Sequence, residues 1–356
     1  MGAYTNIDDP SAHFQVATYT GTGNADNSIT NDGNSNLQPD WIWFKSRDAG
    51  HSHYVVDSSR GRDKGIYPDG VNSEVTSSGS TTDCQSFDSD GFTVGSPEDA
   101  NSTNSSGSTK VAWQWKANGG TTSSNSDGSV SSTVQVNSDA GFSIVKWTGG
   151  GSVPYTVGHG LGAIPDFYIV KSRSSTLHWF GYHERLGANK QTLLALNYIQ
   201  TNTSVWNNTK PTSSVFSIGH SDVNNGDMIG YFFAQKQGYS RIYFYRGNGS
   251  SDGPIGYCGF RPAYILIRPN ASGSSWSIYD HKRNTTHNPV EYWLRTNGAD
   301  AESESTISGD DIDILSTGFK LRNNDGTLNA NNTDYMYIAF AEHPFVTSGG
   351  TPTTAR

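Results

Sequence analysis

The sequence predicts an all-β protein made of three tandem β-sandwich repeats, and three observations lead there. Short aromatic and β-branched stretches alternate with a period near two, separated by clusters of Gly, Ser, Asn, Thr and Asp, which is the pattern of strands and turns. One phrase of five such stretches occurs three times, and internal repetition has to be settled before any other assignment. Across 356 residues, 33% are hydrophobic and 12% aromatic, a composition that suits several thin cores filled by large rings.

Each copy opens on an apolar-alternating strand that ends in an aromatic residue and a G-x-G turn: Tyr19 to Gly23, Trp147 to Gly151 and Tyr245 to Gly249. A Pro-led strand follows, Pro39 to Arg47, matched closely by Pro165 to Arg173 and more loosely by Pro262 to Arg268. The third stretch ends on Asp57, His183 or Asp280, with Arg60, Arg185 or Arg283 a few residues on. The fourth is Gly91 to Val94, Val215 to Ile218 and Gly318 to Leu321. The closing stretch is Val111 to Trp115, Ile229 to Phe233 and Tyr335 to Phe340. Helix is a minor expectation: the span from Glu184 to Leu196 contains Gly187 and no good cap, and reads as one short helix or a strand.

These positions divide the chain into an N-terminal arm (1–13), repeat 1 (14–118), a polar linker or exposed hairpin (119–139), repeat 2 (140–237), repeat 3 (238–346) and a C-terminal tail (347–356). Units of this size match one sandwich domain each and exceed the repeat of a solenoid or propeller blade. The expectation is therefore a row of beads, with the second and third joined without slack.

The charged fraction is 16% and the net charge −9, without a Lys/Arg cluster, which argues against a nucleic-acid-binding face. No run approaches the length of a membrane span and no export signal or lipidation pattern is legible, so no membrane insertion is expected. Cys84 and Cys258 fall at non-equivalent places in the first and third copies and are expected as buried free thiols.

Four motifs support a resemblance. They are the Pro-Asp strand ending in Lys-Ser-Arg, Gly158 to Gly162 (GHGLG), Pro211 to Gly219, and the closing run Ala339 to Phe345. Together they resemble a repeat domain of marine tailed-bacteriophage proteins, cyanophages included, described as tail-fibre, virion structural or concanavalin-like proteins. The resemblance covers nearly the whole chain. It implies sandwiches of the jelly-roll or concanavalin-like type and a place on the virion surface, and it brings no catalytic residues. The third copy departs from it at Ala263 and Pro269.

Catalytic candidates are few. His51 or His53 with Asp57, His183 with Glu184, and Asp280 with His281 are conceivable acid/base pairs, but their positions differ from copy to copy. No Gly-x-Ser-x-Gly, His-Glu-x-x-His or P-loop is present, and no strand carries paired acids for a glycosidase. The chain is not expected to be an enzyme, and no cofactor is expected. Asp88-Ser89-Asp90-Gly91 and Gly309 to Asp313 offer oxygens of the kind Ca²⁺ takes, yet both read more simply as turns before a strand.

For receptor binding the candidates are Trp206, in a polar turn, and Tyr257, near a Gly-rich turn, because such rings stack on sugars. The expected role is a tail fibre or receptor-binding appendage, homo-oligomeric and trimeric, contacting other virion proteins and a host surface glycan or receptor. A capsid decoration or head-fibre protein is the alternative, and a carbohydrate-binding or glycan-degrading module a third.

Overall fold

The structure is a computed structural model describing residues 5–77, 83–95, 103–196, 199–201, 204–271, 273–284, 288–304 and 312–353. It is all-β, with several separate sheets. The first copy holds β1 (Phe14–Thr20), β2 (Asn27–Thr30), β3 (Trp41–Ser46), β4 (Tyr54–Asp57), β5 (Gly61–Ile66), β6 (Val75–Thr76), β7 (Ser86–Asp88), β8 (Gly91–Val94) and β9 (Thr109–Trp115). Between the first and second copies lie β10 (Ser123–Asn125) and β11 (Ser132–Asn137). The second holds β12 (Phe142–Thr148), β13 (Tyr155–Gly158), β14 (Phe167–Ser172), β15 (Phe180–His183), β16 (Lys190–Leu193), β17 (Ile199–Thr201), β18 (Val215–Ile218) and β19 (Asp227–Phe233). The third holds β20 (Ser240–Arg246), β21 (Ile255–Tyr257), β22 (Phe260–Pro269), β23 (Ser277–Asp280), β24 (Tyr292–Arg295), β25 (Ser303–Glu304), β26 (Ile312–Leu315), β27 (Gly318–Leu321) and β28 (Asp334–Pro344).

One strand order recurs in the three large sheets: β1-β9-β3-β4-β5-β6, then β12-β19-β14-β15-β16-β17, then β20-β28-β22-β23-β24-β25. A small sheet accompanies each: β2-β8-β7, β13-β18 and β21-β27-β26. The Gly-Phe stretch explains part of this pairing, because a Cβ at Gly91 or Gly318 would stand about 2 Å from the carbonyl oxygen of Ile29 or Gly256 on the neighbouring strand. Each small sheet packs on one face of its large sheet, giving every copy its own core around Phe92, Phe216 or Phe319.

The copies are not beads. The other faces of the three large sheets meet in one common core to which all three copies contribute. Trp41 of the first copy stacks on Tyr231 of the second at 4.5 Å, Trp115 meets Tyr264 and Phe340 of the third at 5.8 and 5.5 Å, and Phe233 meets Phe340 at 5.7 Å. The void left at the junction, lined by Trp41, Trp115, Phe167, Phe233, Tyr264 and Phe340 among others, is only about 20 Å³. Large aromatic rings on both faces of β3, whose six residues are all buried, are what this arrangement requires.

The polar linker is a hairpin, β10 and β11, that extends the sheet of the second copy beyond β12. It also touches the first copy, where buried Asp40 accepts from Ala117 N, Gly119 N, Gly120 N and Gln135 Nε2 at 2.7 to 3.1 Å. The Asp of the Pro-Asp phrase thus fixes the exit of the closing strand. Of the N-terminal arm, the described part is docked, with Thr5 and Ile7 buried and Asn6 N donating to Gln237 O at 3.2 Å. Ser348 of the tail donates to Asp8 at 2.6 and 2.5 Å, so arm and tail meet. Residues 184–189 turn into β16 without a helix, with Gly187 at φ +77°. Both cysteines are free and buried.

Candidate functional site

The polar residues that recur with the repeats converge on the seams between copies. At the first seam Arg60 and Asp57 form a fully buried pair, Tyr231 of the second copy donates to Asp57 Oδ2 at 2.7 Å, and Glu74 accepts from Arg60 Nη1 at 3.1 Å. Arg173 of the second copy grips Glu74 with two bonds of 2.8 Å, and Glu74 N donates back to Arg173 O. The seam between the third and first copies repeats this set. Arg283 donates to Asp280 at 2.6 Å and to Glu302 at 2.9 Å, Trp113 Nε1 of the first copy donates to Asp280 at 2.9 Å, and Arg47 donates to Glu302 at 2.7 Å. Burial would raise the carboxyls of Asp280 and Glu74, but the arginines beside them outweigh it and hold both below their ordinary values.

The third seam is built differently. His183 occupies the place of the Asp, and Leu186, not Arg185, stands at the place of Arg60 and Arg283. Ile338 holds the register position of Tyr231 and Trp113 in the other copies, and Asn270 that of Arg47 and Arg173. Arg185 lies instead over the ring of Phe244 at 3.8 Å. Arg268, at the position of Lys45 and Lys171, reaches across to Thr192 Oγ1 at 2.7 Å and Leu193 O at 3.3 Å. Lys45 and Lys171 bond backbone carbonyls, and burial lowers both to about 8.

The acid/base pairs considered from sequence do not assemble. His53 accepts from Trp43 Nε1 and donates to Arg295 O, each at 2.8 Å, while Asp57 is held by Arg60 and Tyr231. Burial, with a contribution from Lys45, pushes His53 down to about 3. His183 Nδ1 accepts from Arg185 N at 3.2 Å, and Glu184 faces Lys210 at the surface. His281 bonds Ala263 O, and Asp280 belongs to the seam. Asp88 accepts from Ser86 and Thr93 and Asp90 from Leu37 N, so these oxygens hold their own turn. Gly309, Asp310 and Asp311 lie outside the described residues. Among the described residues no group of three or more His, Cys, Asp or Glu is placed to hold a metal.

The two aromatic candidates separate sharply. Trp206 is fully buried, edge-on to Tyr168 at 4.8 Å inside the core of the second copy, so it presents no face to a receptor. Asn207 and Asn208, both at positive φ, turn the chain so that Val205 and Trp206 point inward, and the polar letters around Trp206 are those of the turn alone. Tyr257 is 62% exposed on β21, at the edge of the small sheet of the third copy.

Tyr257 lines a groove of about 500 Å³ together with Gln235, Gln237, Arg241, Cys258, Gly259 and Phe345. The groove lies between the start of β20 and the end of β21, and Tyr337 OH fixes its wall by donating to Tyr257 O at 2.6 Å. The Arg241 guanidinium sits over the ring of Tyr243, 4.3 Å from its centre. Tyr243 and Phe345 are also exposed, at 40% and 39%. No carboxylate is among the lining residues. Sequence reasoning missed Arg241, Tyr243 and Phe345. Their signal is a strand, β20, with large side chains on both faces and no hairpin beside it comparable to 119–139.

Searches of curated proteins and of solved structures gave no match. One family model matches a single span, residues 9–344, that takes in all three copies and the hairpin between them. The chain therefore belongs to the family described as domain of unknown function DUF7483.

Proposed function

We propose that this chain is a non-enzymatic protein of a bacteriophage virion surface, a tail fibre or receptor-binding appendage, whose three copies are jelly-roll or concanavalin-like sandwiches. The observation that carries this reading is how the polar groups are used. The repeated Asp, Arg and Glu residues clamp three copies into one body, whereas the open groove of the third copy is aromatic and cationic and lined by no acid. That is the chemistry of a docking surface on a rigid scaffold, and it lacks the paired carboxylates that glycan hydrolysis uses. Assembly on the particle as a homo-oligomer, a trimer, would multiply weak contacts. Motif resemblance to marine phage virion proteins supports the same place.

Purified virions provide the test. Quantitative mass spectrometry should find the chain at a few to tens of copies per particle, and antibody labelling should mark the tail. Hundreds of copies spread over the head would replace this reading by a capsid decoration protein. Absence from the particle, or release of reducing ends from host polysaccharide that is lost when one carboxylate is changed, would overturn it.

A further inference from the structure

The three copies differ at one corner, between the first strand of the large sheet and the first strand of the small sheet. In the second copy the hairpin β10–β11 fills it. β11 pairs with β12 in the register Ser132 to Trp147, Val134 to Val145 and Val136 to Ser143. The same hairpin closes on β13, with Ser132 Oγ donating to Gly158 O at 2.7 Å and Val130 N to Thr156 O at 3.0 Å. Val145 is fully buried as a result.

In the first copy the long connection between β2 and β3 does this work: Gln15, at the position of Ser143, accepts from Gly33 N at 2.9 Å and donates to Ser35 O at 2.8 Å. The connection in the third copy is only Cys258 and Gly259. Among the described residues β20 pairs with β28 alone and stands at the sheet edge, and Tyr243, at the position of buried Val145, is 40% exposed. The groove of Arg241 and Tyr257 is the corner that a hairpin occupies one copy earlier.

We propose that this groove takes an acidic β-strand of another polypeptide, added antiparallel to β20 in the register that β11 adopts on β12. This deepens the docking function proposed above and rests on it for the source of the strand. Edge addition supplies main-chain hydrogen bonds, and alternate side chains enter the pockets. The internal template fixes the pattern: a small residue opposite Tyr245, a β-branched residue opposite Tyr243, and at the position of Val136 an Asp or Glu opposite Arg241. The choice of an acid follows from charge, since the Arg241 guanidinium donates to the neutral Gln235 at 3.3 Å, with Asp166 behind Gln235, and none of the described lining residues is acidic. β20 itself reads Ser-Arg-Ile-Tyr-Phe-Tyr-Arg, so a second copy pairing through the same strand gains no opposite charge.

The test uses the full chain and two synthetic peptides spanning residues 129–138 of the hairpin, one carrying Val136→Glu and one Val136→Lys. The glutamate peptide should bind about fivefold more tightly than the lysine peptide. Arg241→Glu should reverse that order, and Arg241→Gln, which keeps the length and polarity of this half-buried side chain, should abolish the difference between the two peptides. Hydrogen exchange should slow at the alternate amides of β20 that face away from β28, those of Ile242, Phe244 and Arg246, when the glutamate peptide binds. Equal binding of the two peptides, no binding, an order unmoved by Arg241→Glu, or protection elsewhere would overturn the proposal. So would a host glycan that binds at Tyr257 without protecting β20. Because the peptide assay needs no virion, its failure is distinct from failure to find the chain on the particle.

Discussion

The first and third seams teach by contrast. Where the first copy meets the second, and the third meets the first, a buried Asp–Arg pair is completed by a Glu, a second Arg and a Tyr or Trp from across the seam. Where the second meets the third, the places of the Asp, both Arg residues and the Tyr or Trp hold other residues: His183, Leu186, Asn270 and Ile338. The set changes as a whole because a buried ion pair is tolerable only when all its hydrogen bonds are met, and an isolated partner left behind is strongly destabilising. Two solutions of one packing problem therefore sit in one molecule, one built on a buried Asp–Arg pair and one in which an arginine, Arg268, bonds neutral groups across the seam.

Breaking the ionic solution should have the largest effect. Arg60→Ala or Arg283→Ala leaves a fully buried carboxylate without its counter-charge and should cost about 3–5 kcal/mol in urea unfolding. Leu186→Arg is the converse change, placing one member of the ionic set in the third seam without its carboxylate partner, and should cost a similar amount, about 3–5 kcal/mol. A wild-type midpoint for either class would mean that the seams are not closed as described.

Next comes the shared core. Trp41→Ala, at the meeting of all three copies, should cost roughly 3–5 kcal/mol and lower the transition of the whole chain. A loss confined to the first copy would argue for independent units.

Acid separates the seams more gently. His183 is held neutral by burial, helped by Arg185, which push it down to about 3, and His53 behaves alike. The unfolded chain takes up protons at these histidines below about 6.5, so folded stability falls as the pH drops from there toward 3. The lowered carboxyls of Asp280 and Glu74 add to the loss when the pH falls through their folded values. Melting temperature against pH should show this decline, and His183→Leu should flatten part of it; an unchanged profile would contradict a neutral buried His183. Smallest of all, Tyr257→Ala should alter stability by no more than about 0.5 kcal/mol, since its ring is mostly in water.

Much of the fold was legible in the letters. The recurring Tyr19, Trp147 and Tyr245, the Pro-Asp strands and the Gly-Phe strands each fall on equivalent strands. The assembly of copies was not, although β3 with Trp41, Ile42, Trp43 and Phe44 in succession carries the mark of a sheet buried on both faces. Glu74 and Glu302 escaped notice because they lie in loops whose lengths differ, where sequence equivalence is lost but spatial equivalence is kept. The sequence aligns Arg185 with Arg60, yet the i+3 position that reaches back along the turn belongs to Leu186. At the groove, Tyr257 was visible as an aromatic beside glycines, while its neighbours came from β20 and the residues after β28, which only the fold brings together.

That three copies share one core can be measured directly by scanning calorimetry of the full chain. A single transition, with calorimetric and van't Hoff enthalpies in a ratio of about 1, is the expected result. Two or three resolved transitions, each insensitive to Trp41→Ala in another copy, would contradict the account.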